Sequence, residues 1–180
     1  YIISPRGVLH QEALTSKSGL VKKLYFNLFA KHYLQKAAAI HYTSKIEKEE
    51  SEQILKHKNS FVIPNGIDIS SIALSGKGTA PVTDKKYLLI LGRIDRIKGI
   101  DILIPAFANV IKKFNDLILV IAGDDKSPYA QEVRKMVEEK KISNNIIFTG
   151  QVTGDDKWAL YKNALMFVLP SYSENFGMSV

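Results

Sequence analysis

Three apolar runs constrain this chain more than anything else in it: Leu88-Leu89-Ile90-Leu91, Leu117-Ile118-Leu119-Val120-Ile121 and Leu165-Met166-Phe167-Val168-Leu169. None alternates with polar residues, so each reads as a strand buried on both faces, the condition of a parallel sheet covered by helices. The spans between them read as helices. Ile100, Leu103, Phe107, Val110 and Phe114 share one stripe, interrupted by Pro105, where a kink or a late start is expected. Ser127-Pro128 has the cap-then-proline order of a helix start, with Ala130, Val133 and Val137 as the buried face. Asn145–Thr149 reads as a further strand. Thr153 then opens a helix packing Leu160, Tyr161 and Ala164, with Trp158 on a neighbouring face. A helix between successive strands demands parallel pairing and right-handed crossovers, hence an α/β fold with a Rossmann-like sheet.

The first part of the chain keeps the same beat. Tyr1–Ser4 reads as a strand, Pro5-Arg6-Gly7 as the loop at its carboxyl end, and roughly Ser18 to Lys36 as a helix. That helix sets Lys22, Lys23, Lys31 and Lys36 beside Leu20, Leu24, Leu28, Phe29 and Tyr33. It reads first as an amphipathic cover for a sheet, with a membrane face as the alternative. Ala39–Thr43 is a short strand. Ser44 caps a helix running to about His57, with Glu47 in the capping-box position. The acids Glu47, Glu49, Glu50 and Glu52 suit the helix dipole, and the reading of them is structural. Ser60–Ile63 is a strand ended by Pro64-Asn65-Gly66. Residues 70–86 lack either periodicity and are rich in Gly, Ser and Thr, as a linker would be.

Several function classes are excluded or lack their signatures. There is no cysteine, so disulfides and thiolate metal sites are excluded. No apolar run reaches the 18 or so residues of a membrane span. The net charge of +7 is dispersed, without the arginine-rich blocks or aromatic–basic interleaving of a nucleic-acid surface. The Gly-x-Gly-x-x-Gly and P-loop fingerprints are missing. No Asp-x-Asp and no His-x-x-x-His occurs. The adjacent acids Asp124-Asp125 and Asp155-Asp156 suit turns or caps better than a metal cage.

Two loops carry chemistry. Leu91 leads into Gly92-Arg93-Ile94-Asp95-Arg96-Ile97-Lys98-Gly99, which offers a planar guanidinium and a flexible ammonium to phosphate oxygens. Leu169 leads into Pro170-Ser171-Tyr172-Ser173-Glu174-Asn175-Phe176-Gly177, which places a carboxylate ahead of a helix start with free N–H groups. A carboxylate for sugar hydroxyls and donors for a phosphate are what a nucleotide-sugar site needs. In an open parallel sheet both loops emerge at carboxyl ends of strands, where ligands bind.

The ordered set Pro64-Asn65-Gly66-Ile67-Asp68, Gly92-Arg93…Lys98-Gly99, Ala122-Gly123, Phe148-Thr149-Gly150 and Pro170-Ser171…Glu174-Asn175-Phe176-Gly177 resembles the retaining glycosyltransferases of sequence family 4. The resemblance implies parts of two GT-B domains. Residues 1–69 would end the acceptor-side domain, 70–86 would link, and 87–180 would begin the donor domain. It implies hexosyl transfer from a nucleotide-diphosphate sugar to a carbohydrate or lipid-linked acceptor, with retention and without a further cofactor; the missing Asp-x-Asp adds the expectation that the transfer is metal-independent. Arg93 and Lys98 would bind the diphosphate, with Gly92 beside them, and Glu174 the donor sugar's hydroxyls. Asn175, Phe176 and Gly177 would lend backbone donors, while Gln151 and Val152 would border the base. Arg6 stands where the family often carries a His, and it cannot serve as a base; Arg6, Asn65 and Gly66 are secondary candidates. Family members carry a second Glu eight residues after the first, beyond Val180 here, so an incomplete piece of a longer enzyme is expected. A cytoplasmic protein, at most peripheral on the membrane's cytoplasmic face, is the implied setting. A nucleotide-sugar epimerase or phosphorylase, and a non-catalytic Rossmann-type module binding a nucleotide or an anionic surface, are the alternatives.

Overall fold

The computed structural model of the chain describes residues 1–9, 24–66 and 82–174. It falls into two compact units, one built on Tyr1–Ile67 and the other on Asp68–Ser173. Most of the expected linker lies outside the described residues.

The first unit is a three-stranded parallel sheet in the order β1 (Ile2–Ile3), β2 (Ala39–Tyr42), β3 (Ser60–Val62). Between β1 and β2 a π-helical turn, Phe26–Ala30, runs into α1 (Lys31–Lys36). Phe26 and Leu34 are buried with Ile40 and Tyr42, but Leu24, Tyr25, Leu28, Phe29 and Tyr33 are exposed. Residues 18–23 of the expected helix, Leu20 among them, lie outside the described residues, and the described members of the face expected to cover the sheet, Leu24, Leu28, Phe29 and Tyr33, do not cover it. A narrower stripe, Phe26, Ala30 and Leu34, does the packing. Helix α2 (Lys45–Ile54) is capped by Ser44, whose hydroxyl accepts from the Glu47 N–H at 3.0 Å. It ends three residues before the expected His57.

The second unit is a four-stranded parallel sheet, β6 (Ile146–Gly150), β5 (Ile118–Ala122), β4 (Tyr87–Leu91), β7 (Met166–Phe167), in that spatial order. Helices α3 (Ile100–Val110), α4 (Pro128–Glu139) and α5 (Gly154–Asn163) make the crossovers. The central strand β5 is buried at every position. Strand alternation splits its neighbours between two cores. Ile90, Leu119, Ile121 and Ile146 face α3 and α4 through Ile104, Phe107, Ala130 and Val133. Tyr87, Leu89, Ile118 and Val120 face α5 through Leu160, and the Tyr87 hydroxyl donates to the Leu160 carbonyl at 2.7 Å. Each fully buried aliphatic side chain contributes roughly 1.5–3 kcal/mol, which is why both faces must be apolar.

The run Leu165–Leu169 departs from expectation. Among the described residues it forms a strand of two residues, Met166–Phe167, paired to β4, and Leu165 and Met166 are exposed rather than buried on both faces. Helix α3 begins at Ile100, so Pro105 does not delay it, and it ends at Val110 with Phe114 exposed. Ser127 caps α4 as expected, accepting from the Ala130 N–H at 3.1 Å.

Candidate functional site

The chain runs from β4 outward through β5 to β6, then returns to the other side of β4 for β7. This reversal is a topological switch point, and the crevice at the carboxyl ends of the strands there is where open α/β sheets bind ligands. The two loops flanking it are those leaving β4 and β7. They are the loops bearing Arg93, Lys98 and the Pro170 segment.

Backbone packing sets the floor of this edge. The Gly92 N–H donates to the Ala122 carbonyl at 2.9 Å, and the Gly123 N–H to the Gly150 carbonyl at 2.9 Å. A Cβ on Gly123 would stand 2.0 Å from the Gly92 carbonyl oxygen, so the loops leaving β4 and β5 meet with no room for a side chain. Between β5 and β6 the register slips by one residue, leaving Thr149 as the extra residue before Gly150.

From Gly92 the chain exposes Arg93 and buries Ile94, whose carbonyl accepts from the Ser127 hydroxyl at 3.3 Å. The Asp95 carboxylate then accepts from the Ile97 N–H at 3.2 Å and caps a single 3₁₀ turn, Arg96–Lys98. Gly99, at φ 64°, leads into α3. The three basic side chains of the loop have different fates. Arg96 pairs with Glu132 and lies over the Tyr129 ring, its guanidinium carbon 4.9 Å from the centroid. Arg93 has no ion pair or hydrogen bond among the described residues. Lys98 is half-buried.

The segment leaving β7 lies directly against this turn. A Cβ on Gly99 would sit 2.1 Å from the Pro170 carbonyl oxygen. The Tyr172 N–H donates to the Ile97 carbonyl at 2.8 Å, and the Tyr172 hydroxyl to Asp101 Oδ2 at 2.9 Å. The Tyr129 hydroxyl donates to Asp101 Oδ1 at 3.4 Å. The bond to Asp101 raises the pKa of the Tyr172 phenol, and burial raises that of Tyr129.

Of the sequence candidates, Gly92, Arg93 and Lys98 share this edge with Pro170–Ser173. Glu174 is the next residue along the chain and is exposed; by contacts it groups with the first unit rather than the second. Asn175, Phe176 and Gly177 lie outside the described residues. Gln151 is exposed at the end of β6, and Val152 packs against the α5 core. Asp124 accepts from the Lys126 N–H at 3.1 Å and Asp125 pairs with Arg134, so both acids serve the turn ahead of α4. Among the described residues no three His, Cys, Asp or Glu side chains gather as a metal cage would require.

In the first unit, Arg6 and Gly7 occupy the loop leaving β1 with φ of 50° and 80°, and the Val8 N–H closes the turn onto the Pro5 carbonyl at 3.3 Å. Asn65 is half-buried and Gly66 exposed. The sequence reading missed the residues that join the loops: Asp101, Tyr172 and the close approach at Gly123. It also took Glu47 for a capping residue alone. Its buried carboxylate accepts from the Gly7 N–H, the Thr43 N–H and the Thr43 hydroxyl, each at 2.7 Å.

A doubly covered parallel sheet with glycine-lined loops and basic residues at its switch point defines a Rossmann-type α/β protein, and the sheet's carboxyl edge is its candidate site. The profile of the family described as "Glycosyl transferases group 1" matches residues 75–180, more than half of the chain, and the chain belongs to that family. Among curated relatives it is 35% identical over 95 residues to the alpha-monoglucosyldiacylglycerol synthase of Streptococcus pneumoniae, a match covering 53% of this chain and 21% of that protein. It is 30% identical over 118 residues to the phosphatidyl-myo-inositol mannosyltransferase of Mycobacterium tuberculosis, covering 64% of this chain and 30% of the relative. Among solved structures, HepE of Anabaena in complex with UDP and glucose superposes with a TM-score of 0.76 at 19% identity, covering 99% of this chain and 48% of HepE. The sucrose-phosphate synthase of Thermosynechococcus elongatus superposes with a TM-score of 0.73 at 23% identity, covering 99% of this chain and 46% of that one. The two structural likenesses define the fold, parts of two GT-B domains. The chain spans less than half the length of each of these four proteins.

Proposed function

We propose that this chain is the donor-binding portion of a glycosyltransferase that moves a hexosyl group from a nucleotide-diphosphate sugar to a carbohydrate or lipid-linked acceptor with retention of configuration. The observation that carries it is the pairing of two loops at the switch point. One holds Arg93 and Lys98, and the other leads into Glu174. Family membership supports the reaction class.

In this reading Arg93 and Lys98 neutralise the charge that develops on the leaving diphosphate, so that no metal is needed at the binding step. Electrostatic stabilisation of that charge is the protein's main contribution. Glu174 accepts hydrogen bonds from the donor sugar's hydroxyls. Asn175, Phe176 and Gly177 lend backbone donors, while Gln151 and Val152 border the base. The bond between the anomeric carbon and the phosphate oxygen breaks, the acceptor oxygen bonds to that carbon on the same face, and the acceptor proton passes to the departing phosphate. Arg6, Asn65 and Gly66 remain candidates on the acceptor side. The setting is cytoplasmic, and no helix among the described residues is long and apolar enough to cross a membrane.

The test is a thermal-shift panel of nucleoside diphosphates and their hexose conjugates, with and without EDTA. Stabilisation by a nucleotide sugar that survives the chelator is expected. A shift that requires Mn²⁺ or Mg²⁺ would end the metal-free account, and no shift with any donor would end the donor-site account.

One observation favours peripheral membrane contact as well. Leu24, Tyr25, Leu28, Phe29 and Tyr33 are each more than half exposed beside Lys31 and Lys36, a composition suited to an anionic lipid surface. Two relatives are named for diacylglycerol and phosphatidyl-inositol chemistry. Salt-sensitive co-sedimentation with anionic vesicles, absent with neutral ones, is the expected result. Indifference to vesicle charge counts against it.

A further inference from the structure

We infer that Asp101 and Tyr172 form a joint that holds the segment leaving β7 on the turn carrying Arg93 and Lys98, with Asp101 as a positioning residue for recognition of the donor's sugar. This rests on the donor-site reading above and goes beyond it, since neither residue would touch the ligand.

Three contacts make the joint, and they are of different kinds. Gly99 and Pro170 meet backbone to backbone, with no space for a Cβ between them. The Tyr172 N–H donates to the Ile97 carbonyl at 2.8 Å, which sets the height of the segment over the 3₁₀ turn. The Tyr172 hydroxyl donates to Asp101 Oδ2 at 2.9 Å, which ties the side chain to the first turn of α3. Asp101 is suited to this because an ionised carboxylate only accepts, and its second oxygen takes the Tyr129 hydroxyl at 3.4 Å. Tyr129 is buried on α4, so it braces Asp101 from the core side. One residue, Ser173, separates Tyr172 from the sugar-directed Glu174, so the joint fixes the point from which the chain enters Glu174. The diphosphate contacts lie before the joint, in the loop leaving β4. Sugar recognition should therefore depend on Tyr172 far more than diphosphate binding does.

The experiment compares the wild-type chain with Tyr172→Phe, Asp101→Asn and the control Tyr129→Phe, none of which removes a group assigned to the ligand. Two readouts are taken: amide hydrogen exchange at Tyr172, and calorimetric Kd values for UDP and UDP-glucose, with GDP and GDP-mannose in parallel. Tyr172→Phe should speed exchange of its own amide at least fivefold. It should erase threefold to tenfold of the affinity that the sugar adds over the bare diphosphate, leaving the diphosphate Kd within about twofold. Asp101→Asn, which keeps one acceptor oxygen, should fall between, and Tyr129→Phe should stay near wild type. Unchanged exchange in Tyr172→Phe overturns the joint. Faster exchange with an unchanged sugar increment overturns the positioning role alone. A wild-type chain that binds the diphosphates but gains nothing from the sugar also overturns that role. Binding of none of the four ligands by the wild-type chain overturns the donor-site reading itself, together with the role that rests on it.

Discussion

The buried carboxylate of Glu47 offers the sharpest test of how the first unit is held together. It is 4% exposed and Thr43 is fully buried, and its two oxygens accept from the Gly7 N–H, the Thr43 N–H and the Thr43 hydroxyl. Glu47→Ala removes the acceptor from all three donors at once. The hydroxyl can rotate towards another partner, but the two backbone N–H groups cannot. Each donor left unsatisfied costs about 1–3 kcal/mol, so a loss of roughly 2–6 kcal/mol is expected from the two. Glu47→Gln preserves shape but turns one oxygen into a second donor facing a donor, and about half of that loss should follow. The loop leaving β1 should respond most, because Arg6 holds φ 50° there. A left-handed conformation costs an ordinary residue roughly 1–2 kcal/mol, so release of Gly7 lets the turn relax. The assay is urea unfolding followed by far-ultraviolet circular dichroism, with native-state hydrogen exchange at Gly7 and Thr43. Trp158 is the single tryptophan and lies in the second unit, so its fluorescence follows that unit separately. A change below about 0.5 kcal/mol in Glu47→Ala, with Gly7 protection intact, would refute the reasoning, since it lies within what neutral surface substitutions give.

Further outcomes follow from the same geometry. Arg93→Ala and Lys98→Ala should each weaken nucleoside-diphosphate binding about tenfold or more, the worth of a charged hydrogen bond, whereas Arg96→Ala should leave the titration unchanged because Arg96 is engaged with Glu132 and Tyr129. Equal losses at all three positions would mean a diffuse basic surface. Gly123→Ala should destabilise the second unit by about 1–3 kcal/mol through overpacking, since the new methyl meets the Gly92 carbonyl; a Trp158-monitored urea midpoint equal to wild type would contradict the close approach. At high pH the first unit should weaken through Tyr42. Its pKa is pushed up to about 12, chiefly by burial and then by Glu52 and Glu47. The unfolded chain releases that proton near pH 10, so the stabilisation is whole below pH 10 and is lost as pH rises towards 12. The loss amounts to about 2–3 kcal/mol, and a Tyr42→Phe variant should show a correspondingly flatter alkaline limb in dichroism-monitored unfolding.

What could be read from residue order was whatever is local. The apolar runs Leu88–Leu91 and Leu117–Ile121, the Ser127-Pro128 start and the Ser44 cap declare themselves within a few residues, because backbone periodicity and capping act over one or two turns. From these came the parallel α/β fold and the two loops at its carboxyl edge. Spatial order of strands is not local. That β7, last of these strands in the chain, lies beside β4 and not beside β6 is decided only in the assembled sheet. The same holds for side chains with more than one available partner. Arg93 and Arg96 look alike in the loop, and Glu132, far along the chain on α4, engages one of them. Glu47 fits a capping box in sequence. Its position against Gly7, 40 residues earlier, makes it the acceptor for a separate loop. Tyr172 and Asp101 are 71 residues apart, and nothing in either neighbourhood names the other. Hydrogen bonds between loops form only after the strands have set the loops side by side, so they belong to the tertiary structure.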